Sequence, residues 1–172
     1  AKPDFDNKNG AMVELDGAAF INLDGSQTAL YGYTKRIIAE MKQFLLIMKQ
    51  YAYCSSHIVT ETGKTHEDYD WTKFAYENEP CSFAVSVDKG VALVTKQTNA
   101  FGALYMFENI GNVRDELFDG IPPMKLCAEL PSGEKAFYFR GETVEVSADE
   151  NGVYSFDLKV GDAIFVEIKS AK

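Results

Sequence analysis

Cys81-Ser82-Phe83-Ala84-Val85-Ser86-Val87-Asp88-Lys89-Gly90-Val91-Ala92-Leu93-Val94-Thr95 is the stretch whose reading decides the fold. Cys81–Val87 alternates between larger apolar residues and the small Ser82, Ala84 and Ser86, the period-two pattern of a strand with one buried face. Asp88-Lys89-Gly90 is a turn signal, and Val91–Thr95 resumes with apolar and β-branched residues that suit a pleated surface. The pattern continues downstream. Phe101–Glu108, Met124–Leu130, Lys135–Arg140, Thr143–Ser147, Val153–Lys159 and Ala163–Ile168 are further strand-like runs. Pro131-Ser132-Gly133, Asp149-Glu150-Asn151-Gly152 and Val160-Gly161-Asp162 punctuate them, with Gly152 placed where a hairpin loop needs positive φ. Seven or eight short strands separated by turns predict an antiparallel β-sandwich or barrel over residues 81–172.

Upstream of this block the pattern changes twice. Residues 61–80 form a polar connector in which Glu61, Glu67, Asp68, Asp70, Glu77 and Glu79 face only Lys64 and Lys73, a local balance of −4. Before it, Leu30, Tyr33, Ile37, Ile38, Met41, Phe44, Leu45, Met48 and Tyr51 recur in steps of three and four. That spacing predicts an amphipathic helix over about 28–51, with Lys35, Arg36, Glu40, Lys42 and Lys49 mostly on the other side. The expected class is therefore α+β, a long N-terminal amphipathic helix packed on an antiparallel β-sandwich. The expected divisions are an N-terminal segment 1–60, the acidic aromatic connector 61–80 and the sandwich 81–172.

Composition narrows the function classes. The chain has 172 residues, Lys+Arg 17 against Asp+Glu 26, and a formal net charge of −9. Nucleic acids and anionic membranes are bound by clustered Lys and Arg, so neither is an expected partner. No apolar run approaches the roughly 18–20 residues of a membrane helix. Cys54, Cys81 and Cys127 are odd in number and lack CxxC spacing, which favours reduced thiols and the cytoplasm over secretion but leaves room for one Cys54–Cys81 bridge.

Catalytic motifs are sparse. There is no GxSxG elbow, phosphate-binding glycine loop or dinucleotide fingerprint, so no cofactor is expected. His66-Glu67-Asp68-Tyr69-Asp70 starts like a zincin helix but carries Asp70 at the second histidine position, and no metal is expected. The calcium-loop pattern fails at Lys8 and Asn9 of Asp4–Gly10. Cys54-Ser55-Ser56-His57 places a thiol near an imidazole in sequence, which is not yet a catalytic geometry. One cluster suits a ligand. Trp71, Tyr69 and Tyr76 could stack on the apolar faces of sugar rings while Asp70 accepts hydroxyl hydrogen bonds. The alternative is that these aromatics pin the connector to the sandwich.

Gly17-Ala18-Ala19-Phe20-Ile21-Asn22-Leu23-Asp24-Gly25-Ser26-Gln27-Thr28-Ala29-Leu30-Tyr31 resembles the last barrel strand and last helix of β-galactosidase-like glycoside hydrolases of clan A, the family-42 type and its gut-bacterial relatives. The turn matches a D-G-x-x-T-x-x-Y pattern, and Glu40-Met41-Lys42-Gln43-Phe44 matches the helix end. Tyr53–Thr60 is similar in position to a short strand that follows in those proteins. Asn151–Leu158 and Gly161–Val166 resemble the last strands of their C-terminal sandwich. The resemblance implies the C-terminal part of a longer hydrolase, or a descendant without the barrel. Both family catalytic glutamates would precede Ala1, so no residue here inherits a catalytic role. Three functions follow as expectations. The first is a non-catalytic accessory domain that supports or shapes a carbohydrate site beside a missing catalytic barrel. The second is a stand-alone carbohydrate-binding module. The third is an interaction protein that forms homo-oligomers through the helix face.

Overall fold

The computed structural model describes residues 21, 26–27, 29–65, 81–111 and 122–170. The chain divides into two compact units, residues 1–45 and 46–172. In the first, Ile21 and Gln27 form an isolated antiparallel bridge, and helix α1 (Ala29–Met48) begins. The helix is shorter than its periodicity predicts. After Met48 the chain turns, with Gln50 N–H donating to the Ile47 carbonyl and Tyr51 N–H to Met48. It then enters strand β1 (Ala52–Thr60). Sheet pairing from Ala52 onward overrides the apolar spacing that would carry the helix to Tyr51.

The second unit holds two antiparallel sheets. Its further strands are β2 (Val85–Val87), β3 (Val91–Asn99), β4 (Gly102–Asn109), β5 (Met124–Ala128), β6 (Glu134–Phe139), β7 (Glu142–Val144), β8 (Tyr154–Leu158) and β9 (Ala163–Lys169). The larger sheet runs β1-β3-β4-β9-β6-β7 and the smaller β2-β5-β8. The Asp88-Lys89-Gly90 turn therefore carries the chain from one sheet to the other rather than closing a hairpin. Gly152 has the positive φ that its loop requires, +81°.

Strand alternation builds the core. On the smaller sheet Met124, Leu126, Ala128, Phe156 and Leu158 point inward, while Lys125, Ser155 and Asp157 are exposed. On the larger sheet Ala92, Val94, Tyr105, Phe107, Phe137, Ile164, Val166 and Ile168 meet them. Aromatic rings seal the contact between the sheets. The Phe107 and Phe156 centroids lie 5.8 Å apart, and Phe137 and Phe156 lie 6.2 Å apart. Leu104, Phe165 and Thr95 lie on the other face of the larger sheet and are also buried, so that sheet is covered on both sides there.

The expected α+β class is overturned. Nine strands against one helix make the described chain mostly β, and among the described residues the buried core cluster contains strand residues without a helical one. The physical reason is that two sheets with matched apolar faces bury one another and need no helix as a lid. The stripe that was expected to cover the sandwich stays half exposed at Ile37, Ile38, Met41 and Leu45.

Candidate functional site

The site lies at the end of the larger sheet where β3 turns into β4. Asn99 shapes that turn. Its side-chain Oδ1 accepts from Phe101 N–H at 2.8 Å, and its Nδ2 donates to the Gln50 carbonyl at 3.2 Å. Ser170 N–H closes the far side by donating to the Phe101 carbonyl at 2.9 Å. Gly102 follows with its Cα against β9, where a methyl group would run into the Ile168 carbonyl. These bonds hold the turn in place and leave the Phe101 ring outside, 76% exposed.

A cleft of about 710 Å³ opens beside the turn. Tyr51, Phe101, Glu134, Glu167, Lys169 and Ser170 are among the residues that line it. Register explains why they meet. Glu134 pairs with Lys169 and Ala136 with Glu167, so the three charged residues share one face of adjacent strands.

Glu167 is the fixed point of this cleft. The Tyr51 hydroxyl donates to its Oε1 at 2.6 Å, and the Tyr138 hydroxyl donates to Oε2 at 3.2 Å. The Lys169 ammonium stands 3.7 Å from the same Oε2. Burial, then the hydrogen bond to Glu167 and its charge, push the Tyr51 phenol well above its usual range. Burial and the same carboxylate raise Tyr138. Both phenols therefore stay protonated and act as donors at neutral pH. A carboxylate held by two phenols and an ammonium is a rigid acceptor, suited to fixing the cleft's shape.

The segment around His57 is resolved by strand alternation. Ser55 Oγ lies 3.0 Å from His57 Nε2, whereas Ser56 Oγ faces the other way, 3.2 Å from Thr95 Oγ1. Cys54 sits at the register shift between Tyr53 and Ser55 and is exposed. The expected sequence neighbours thus split between two faces and a bulge, leaving a buried imidazole satisfied by a hydroxyl. Cys54, Cys81 and Cys127 are free thiols, and burial pushes the Cys81 thiol up, which makes it a poor nucleophile. Among the described residues no group of three His, Cys, Asp or Glu could hold a metal ion. No helix among them is long and apolar enough to cross a membrane.

Trp71, Tyr69, Tyr76 and Asp70, the platform read from the sequence, lie outside the described residues. The cleft residues were not singled out. Tyr51 read as part of the helical stripe, Phe101 as the first residue of a strand, and Glu167 as an ordinary member of the last strand. One local signal does mark the site, an aromatic set in a turn between Asn99 and Gly102.

No family model matches the chain, and neither a curated protein nor a solved structure matches it significantly.

Proposed function

We propose that the chain is a non-catalytic accessory domain of a glycoside hydrolase and that it binds carbohydrate in the cleft beside Phe101. The observation that carries this reading is an exposed aromatic ring on the rim of a cleft that also holds carboxylates, an ammonium and a hydroxyl. Sugar rings offer an apolar C–H face to such an aromatic, and their hydroxyls both donate and accept. Glu134 would accept, while Lys169 would donate and Ser170 could do either. The resemblance to clan A hydrolases supports the hydrolase context, and the clamped Glu167 supports recognition rather than turnover. The test is a glycan array probed with the purified chain and with Phe101→Ala. Binding that the substitution abolishes supports the reading; an array with no bound glycan overturns it.

A second reading is self-association through α1. Ile37, Ile38, Met41, Leu45 and Leu46 are each about half exposed, which favours it. A concentration-dependent dimer in sedimentation that Leu45→Asp dissociates would support it, and a monomer at all concentrations would refute it.

A further inference from the structure

Behind the same turn lies a second, smaller hollow of about 260 Å³ with the opposite electrostatic character. Alternation along β3 puts Lys96 and Thr98 on the core-facing side, with Ala92 and Val94. Lys96 is partly buried there, opposite Tyr105 on β4. Ser132 and Ser170 complete the polar wall, and none of the described residues lining the hollow is acidic. Among the described residues no carboxylate forms an ion pair with Lys96. A partly buried cation beside hydroxyl groups, with no counter-charge supplied by the described residues, favours an anion that brings one. Asn99, Ala100 and Ser170 line both cavities, so a ligand crossing the turn would touch each.

We infer that this hollow is a subsite for the carboxylate of an acidic sugar, with Lys96 as its charge partner and Thr98, Ser132 and Ser170 as hydroxyl partners. The inference rests on the carbohydrate reading of the cleft and adds a substrate class to it, uronate-bearing rather than neutral glycans. The chain's overall negative charge does not oppose this at physiological salt, because charges more than about 8–10 Å from the hollow are screened. A single carboxylate fits it better than a polyphosphate, because Lys96 is the one cation among the described residues that line the hollow.

The same array tests the subsite if neutral glycans and their uronate-bearing counterparts are printed side by side. Wild type, Lys96→Met and Lys96→Arg are compared, each first checked for a native circular dichroism spectrum. The expected result is a preference for uronate-bearing glycans on the order of tenfold, as a well-placed ion pair gives. Lys96→Met should remove that preference and leave neutral glycans bound as before, while Lys96→Arg should keep it. Binding of neutral glycans alone, or a uronate preference that survives Lys96→Met, overturns the subsite and leaves the cleft reading standing. Binding of no glycan overturns both. If Lys96→Met fails to fold, rising salt on wild type decides. A uronate preference that collapses with salt supports the ion pair, and one that does not overturns it.

Discussion

The Tyr51 hydroxyl donates a 2.6 Å hydrogen bond to Glu167 across 116 residues of sequence. It ties the segment leaving α1 to the last strand of the larger sheet and gives one wall of the cleft its shape. Tyr51→Phe keeps the ring and removes only the donor. We expect a loss of about 1.5–3 kcal/mol in denaturant unfolding, the usual net worth of a bond to a charged acceptor.

The same pair sets an alkaline limit. Burial and the neighbouring carboxylate raise the folded-state pKa of Tyr51, and of Tyr138 beside it. The folded state therefore favours the protonated phenols. Their stabilising contribution is complete below the ordinary phenol pKa of about 10 and disappears as pH rises through the elevated folded values. Thermal melts should fall above about pH 10 in wild type, and Tyr51→Phe should flatten that fall. Equal slopes in the two proteins would count against the linkage.

Glu108 gives the opposite kind of prediction, at neutral pH. Burial raises its carboxyl above the usual range, so the folded state prefers it protonated. Its contribution is most favourable below the unfolded value and turns against folding as pH climbs through the folded one. Glu108→Gln should therefore raise the melting temperature at pH 7 and leave it nearly unchanged at pH 3. A drop at pH 7 would indicate that the charge is satisfied.

Asn109 is a buried polar residue whose side chain is used at both ends. Its Nδ2 donates to the Leu158 carbonyl at 2.9 Å and its Oδ1 accepts from Gly111 N–H at 2.9 Å. Leu158 belongs to the smaller sheet and Asn109 to the larger, so this amide pins the two together. Asn109→Ala strands a buried carbonyl and an amide N–H, and should cost about 1–3 kcal/mol in chemical denaturation. An effect below about 0.5 kcal/mol, the range of ordinary surface changes, would show that water replaces the amide.

Phe101 and its neighbour Gly102 should separate binding from stability. Phe101 is too exposed to hold the fold, so Phe101→Ala should change unfolding by less than about 0.5 kcal/mol while removing glycan binding. Gly102→Ala should do the reverse to stability. Its methyl meets the Ile168 carbonyl of the paired strand, and we expect a loss of about 1–3 kcal/mol because backbone cannot move aside cheaply. Thermal melts of both variants, run beside a binding assay, check the pair.

The strands after residue 81 were legible because period-two alternation is a local property. Met124–Leu130 carries much of it within a few residues, while Val91–Thr95 and Ala163–Ile168 are short apolar runs bounded by turn residues, an equally local signal, and a strand begins at the first residue of all three. Turn chemistry was equally local, as Gly152 demonstrates. The boundary of α1 was not, since apolar spacing continued to Tyr51 while pairing of Ala52 with Thr98 drew the chain into a sheet. The fold class failed for the same reason. A helical stripe announces that it needs a partner, but it cannot report that two sheets already satisfy each other. The strand Ala52–Thr60 was suggested by position in a resemblance, because Tyr53-Cys54-Ser55-Ser56 has no clean alternation of its own.

Sequence by itself determined where most of the downstream strands run, where the chain reverses, and that the protein is acidic. The first two rest on residues within one turn or one strand of each other, and the third on composition alone. Tertiary structure alone decided which strands are neighbours and which faces close. It brought Tyr51, Phe101, Glu134 and Glu167 to one cleft, and left Lys96 facing inward without a described carboxylate. Strand pairing joins residues far apart in the chain, such as Gly102 with Lys169, and a one-residue change of register would send every side chain of the slipped strand to the opposite face.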